Sequence, residues 1–154
     1  MKSIYILFWA LLLTTQTVAQ QEVFQLETLN EIVSLSSPKL SPDGAQVVFI
    51  HSRRDYAQNA FIREIRSVEI ADGHKRTLVY PRGGLGSPDW SPDGKQLTFL
   101  ASTNGGRQVF SLPSAGGEAK QLTHHEGGII RYAWSPSGNM LAFIGLVDQV
   151  KPTD

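Results

Sequence analysis

Cysteine is missing from all 154 residues, and with it go disulfides, thiol nucleophiles, cysteine-ligated zinc, iron–sulfur clusters and any lipid-modified N-terminal cysteine. An excess of one charge is missing too, since 14 Lys and Arg stand against 14 Asp and Glu. A balanced chain lacks the cations that hold a polyphosphate backbone, which argues against nucleic acid as a partner, and nothing marks a scavenger of acidic substrates. No serine sits in G-x-S-x-G, the strained strand-to-helix turn that presents a hydrolase nucleophile. The apolar stretch Ile4 to Leu13 is ten residues long, well short of the ~20 that span a bilayer.

What is present begins with that stretch. Lys2 precedes it, and the small residues Thr17-Val18-Ala19 end it ahead of Gln20, the layout of a secretory signal over residues 1–19. Cleavage leaves 135 residues with 13 Lys and Arg and 14 Asp and Glu. The expected mature protein is exported, periplasmic or secreted, and free of the membrane once cleaved. Its core must hold without covalent staples.

Repeats organise the remainder. LSPDGAQVVFI from Leu40, WSPDGKQLTFL from Trp90 and WSPSGNMLAFI from Trp134 superimpose at intervals of 50 and 44 residues. A second motif, IRSVEIADGHKRTL from Ile65 and VFSLPSAGGEAKQL from Val109, recurs at an offset of 44. Each unit reads as four short strands. In the second unit Ser91-Pro92-Asp93-Gly94 turns the chain, with proline fixing φ and glycine taking the positive φ that follows. The next strand, Gln96 to Ala101, is apolar on both faces through Leu97, Phe99 and Leu100, as a sheet covered from both sides requires. Val47, Phe49 and Ile50 are its counterparts in the first unit, and Leu141, Phe143 and Ile144 in the third.

Four antiparallel strands in about 45 residues make a β-propeller blade. The expected fold is all-β: a partial propeller of four-stranded antiparallel blades, about two and a half of them present. Residues 20–35 form a lead-in, where Thr28-Leu29-Asn30-Glu31 has capping-box spacing and predicts a short helix to about Leu35. Residues 36–154 hold the incomplete propeller, with blade 1 at about 36–80, blade 2 at about 85–123 and half of blade 3 at about 129–146. A ring of even four such blades needs ~180 residues, so the expectation is a piece of a longer protein.

The spacing argues against two propeller families. Sialidase-type Asp boxes separate Asp from Gly, which are adjacent at Asp43-Gly44 and Asp93-Gly94; WD repeats end a strand in Trp-Asp, whereas serine follows Trp90 and Trp134. The W-S-P-D-G hairpin leading into an apolar strand resembles the PD-type repeat of TolB-like proteins and of prolyl oligopeptidase family propellers. The order of a signal, a Leu-rich lead-in, S-P-K-L-S-P-D-G and then P-D-W-S-P-D-G-K further resembles the dipeptidyl aminopeptidase and acylaminoacyl peptidase branch, over about Phe24 to Ile144. Ser137 departs from the pattern, standing where the other two hairpins have aspartate. The resemblance implies a propeller that sits over a C-terminal α/β-hydrolase domain of a longer chain and restricts which peptides reach its serine. The alternative it leaves open is a non-enzymatic TolB-like propeller that binds envelope proteins. Any nucleophile, acid and histidine of such a hydrolase would lie beyond Asp154, so no residue here is assigned to catalysis, to a cofactor or to a metal.

Other candidates have simpler readings. His124 and His125 are adjacent and would point to opposite faces of a strand, and His51 and His74 have no ligand-spaced partner. Gly83-Gly84-Leu85-Gly86 lacks the Gly-Lys-Ser/Thr of a phosphate loop and reads as a connector between blades. Trp90 and Trp134 recur at blade spacing, which favours packing between sheets over ligand stacking. The two motif offsets differ by six residues, placing an insertion in the first unit within about His51 to Phe61. Arg53, Arg54, Asp55 and Tyr56 there are candidates to contact a peptide or neighbouring domain, against a solvated loop with a local Arg–Asp pair.

Overall fold

The computed structural model describes residues 32–147, and every regular element among them is a strand. Blade 1 is β1 (Val33–Leu40), β2 (Gln46–Asp55), β3 (Ala60–Glu69) and β4 (Lys75–Val79). Blade 2 is β5 (Gly86–Trp90), β6 (Gln96–Thr103), β7 (Gly106–Pro113) and β8 (Lys120–Gln121). A third sheet holds β9 (Ile129–Trp134) and β10 (Leu141–Gly145). Within each sheet neighbouring strands follow chain order and pair antiparallel. The protein is an open, partial propeller.

One expectation fails at the start of blade 1. The helix read as running to about Leu35 is replaced there by strand, because Val33, Ser34 and Leu35 pair with Arg53, Ser52 and His51. A local capping signal yields to a ladder partner that only the folded chain supplies. The Thr28–Glu31 box itself lies outside the described residues.

Alternation of side chains across the strands decides what holds the sheets together. On β6, Leu97, Phe99 and Ala101 join a core with Val48, Ile65 and Val79 of blade 1. Leu100, which points the other way, packs with Val109 of its own blade and with Ile129 and Tyr132 of the third sheet. Phe99 and Phe110 stack on the face toward blade 1, ring centroids 5.8 Å apart. Burying a side chain of this size contributes about 1.5–3 kcal/mol. The recurrent tryptophans are packing residues with a polar tether: Trp90 is buried and donates its indole N–H to the Lys39 carbonyl, and Trp134 donates to Thr98 Oγ1.

Among the described residues the same alternation leaves two faces bare. Val48 and Ile50 are buried toward blade 2, while on the opposite face Val47 and Phe49 are only half-buried and Leu35 and Leu40 are exposed. At the far end Leu141 turns toward blade 2, and Ile144, one face away, is 59% exposed.

The turns after β1, β5 and β9 share one construction. Gly44, Gly94 and Gly138 adopt φ of +72°, +70° and +72°. In the first two, the serine hydroxyl donates to the aspartate two residues on, at 2.6 Å in both, and accepts the backbone N–H of Gln46 or Gln96. Ser137 leaves the third turn without that carboxylate, and Asn139 replaces it by accepting from Ser135 and Ser137. The turns also touch in series. A Cβ built on Gly94 would lie 3.5 Å from Pro42 Cδ, and one on Gly138 would lie 3.4 Å from Pro92 Cδ.

Gly94→Val in the natively expressed protein should therefore cost about 1–3 kcal/mol, through the left-handed backbone rather than a clash, as measured by chemical denaturation. The serine hydroxyl, then a backbone N–H, holds the Asp43 and Asp93 carboxyls below their ordinary value of 3.8. A carboxyl depressed in the folded state adds stability that is present above its unfolded value and lost as pH falls through the folded one. Asp93→Asn should flatten the acid limb of the stability–pH curve below about pH 4, with thermal melts across that range as the check.

Candidate functional site at the hairpin end of the blades

Strand direction sorts the loops to two ends. The Ser-Pro turns and the β3–β4 and β7–β8 turns fall at one end, and the β2–β3 and β6–β7 hairpins with the connectors between blades fall at the other. The Ser-Pro end repeats one geometry, whereas the hairpin end differs from blade to blade.

The insertion expected within His51 to Phe61 is ordered hairpin. β2 and β3 each have ten residues where β6 and β7 have eight, and the turn has four residues where blade 2 has two. Two extra residues in each strand and two in the turn account for the six. No local Arg–Asp pair forms among the described residues: the Asp55 carboxylate accepts the Gln58 N–H at 3.1 Å. Arg54 instead lies over Tyr56 and Phe61, 5.6 and 4.8 Å from their ring centroids. Both rings are exposed, which leaves an aromatic and cationic tip of the kind that anchors interfaces.

Below the tip a cleft of about 500 Å³ separates blade 1 from blade 2. Its blade 1 wall is a register row: Ser34 pairs with Ser52 and Ser52 with Arg63, two register positions beyond Ile50 on the same face. Phe61 caps this wall. The other wall comes from Gly84, Leu85, Gly86 and Ser87, together with Arg107 of β7. The glycine-rich connector thus joins blades as expected and also shapes the cleft. Gly86 is buried, and a Cβ there would stand 3.1 Å from Arg107 Nη2, so its bareness lets the guanidinium pass. Arg107 Nε is buried with no hydrogen-bond partner among the described residues.

Strained backbone borders the cleft on both sides. β1 and β5 carry bulges at matching places, and Ser37 and Ser87 there have φ of +52° and +50°, each preceding a proline. Such residues cost about 1–3 kcal/mol each and persist only where neighbours over-determine them. Three links do so here. Lys39 Nζ meets Asp89 Oδ1 at 3.1 Å, the Trp90 indole holds the Lys39 carbonyl, and Tyr132 donates its hydroxyl to the Ser87 carbonyl at 2.6 Å. Burial pushes the Tyr132 phenol well above its ordinary value.

The histidines do not converge on this cleft. His74 is exposed near the opposite end, His124 is exposed beside blade 2, and a His125 ring nitrogen lies 2.8 Å from the Leu146 carbonyl. His51 sits on β2 with its Nδ1 buried and without a hydrogen-bond partner among the described residues. Among the described residues no group of three metal-type side chains is brought together. Arg63 and Arg107, by contrast, carry no motif in the sequence, and only strand register and the bare Gly86 on β5 bring them to one cleft.

Antiparallel blades, two of them four-stranded, each entered through a Ser-Pro-Asp-Gly or Ser-Pro-Ser-Gly turn, define an open, partial β-propeller. The chain belongs to the PD40 family, described as the TolB beta propeller domain, whose model matches residues 12–150. Among curated proteins, an uncharacterized peptidase of Bacillus subtilis, YuxL, is 29% identical over 85 residues, covering 55% of this chain and 13% of the relative. An acylaminoacyl peptidase of Pyrococcus horikoshii superposes with a TM-score of 0.66 at 19% identity, over 79% of this chain and 18% of that one. TolB from Acinetobacter baumannii superposes at 0.58 and 22% identity, over 73% and 27%. This chain therefore spans a small part of the length of each.

Tyr132→Phe should cost about 1 kcal/mol by removing the donor that steadies the Ser87 bulge, and equilibrium urea denaturation of the natively expressed protein measures it.

Proposed function

We propose that this chain is the N-terminal propeller segment of an exported serine peptidase, gating peptide access to a C-terminal α/β-hydrolase domain of a longer parent chain. The observation that carries this reading is the sequence similarity to an uncharacterized peptidase of Bacillus subtilis, beside the fold shared with acylaminoacyl peptidase. The two bare sheet faces support it, since each calls for a further blade. The exposed Arg54, Tyr56 and Phe61 tip gives a docking surface for the hydrolase or its peptide. Residues 1–19 act as the export signal in this reading.

A second reading, a non-enzymatic TolB-like propeller that binds envelope proteins, is favoured by the family description and the Acinetobacter structure. The two separate on chemistry. Under the peptidase reading, the natively expressed protein takes a covalent label from a fluorophosphonate serine probe, whereas residues 20–154 alone turn over no peptide or ester. A protein that takes no label, from a reading frame with no G-x-S-x-G, would establish the second reading instead.

A further inference from the structure

We propose that the cleft between the first two blades is a carboxylate-binding site for a peptide, with Arg63 and Arg107 as its charged pair. Among the described residues the cleft is lined by two arginines and by no acidic side chain. The ion pairs among the described residues use Lys39, Arg66, Arg76 and Lys95, so neither arginine is neutralised by a carboxylate. A guanidinium nitrogen buried without an acceptor is costly, and Arg107 Nε is in that position. An anion entering the cleft would engage the terminal nitrogens of the same guanidinium and offset its charge. The planar fork of arginine matches a carboxylate through two parallel bonds, and Ser34 and Ser52 beside Arg63 add neutral donors.

The remaining walls say what accompanies the anion. Ile50, Phe61 and Leu85 present apolar surface to the same cleft, which suits a carboxylate borne next to an apolar side chain better than a bare inorganic ion. About 500 Å³ is within the range of small-ligand sites and holds a short peptide rather than a folded partner. The carboxylate has two sources, the C-terminus of the peptide or an acidic side chain. That the ligand is a peptide rests on the peptidase reading; that the cleft takes a carboxylate rests on the arginines alone.

Calorimetric titration of the natively expressed protein tests this after treatment with phenylmethylsulfonyl fluoride, which blocks turnover if a reactive serine is present. The probes are Ala-Ala-Phe, its C-terminal amide, and the amide of Ala-Glu-Phe. The expected result is that Ala-Ala-Phe binds about tenfold or more tightly than its amide, and that Arg107→Met and Arg63→Met each remove that preference. Arg63 is exposed, so its replacement keeps the fold and the test stands even if Arg107→Met unfolds. Arginine-dependent binding of the Ala-Glu-Phe amide would support the site with a side chain as the source. Equal affinity for acid and amides, no binding of any probe, or a preference unchanged in both variants would overturn it. Serine labelling is scored separately: a labelled protein without carboxylate preference sinks only this inference, and an unlabelled one with it sinks only the peptidase reading.

Discussion

A strand that is apolar on both sides can be dry only between two neighbouring sheets, and β6 is where that constraint falls. Leu97 and Phe99 need blade 1, while Leu100 needs the third sheet. Every other packing feature follows from satisfying both at once. The tryptophans are placed to bridge sheets, the two core clusters lie between blades rather than within them, and no blade has an interior of its own. Stability in such an array is a property of adjacent pairs, as in other repeat architectures.

That dependence leaves the two ends of the blades with different freedoms. At the Ser-Pro end, one turn geometry recurs because serine, aspartate or asparagine, and a left-handed glycine satisfy the backbone locally. At the hairpin end the backbone is unconstrained by neighbours beyond the core, so β2 and β3 can lengthen and carry Arg54, Tyr56 and Phe61 outward. The bulges at Ser37 and Ser87 lie between these regimes. Their strain is held by contacts from the adjacent strand and the adjacent blade, so the cleft they border is stiff on both walls.

The parts of the fold legible in the sequence were those whose cause is local or periodic. The S-P-D-G turns, the two-sided apolar strand and the six-residue lengthening in the first unit each announce themselves through a few adjacent residues or a count. The Ser37 and Ser87 bulges did not, because serine before proline ordinarily takes an extended backbone and its positive φ is imposed by cross-blade contacts. Val33 to Leu35 gave no sign of strand, since the capping box upstream pointed to helix and the pairing strand lies about twenty residues later. Arg63 and Arg107 were silent for a similar reason: they come from different blades, and a gap on a third strand at Gly86 is what lets one reach the other's cleft.

The proline-on-glycine contacts between successive turns give the array a front and a back. Pro42 rests on Gly94 and Pro92 on Gly138, each from the earlier blade to the later, while among the described residues nothing lies within 4 Å of where a Gly44 Cβ would be. Joints of this kind are head-to-tail rather than self-complementary. A ring built on this joint would close with a proline of its last blade seated on Gly44.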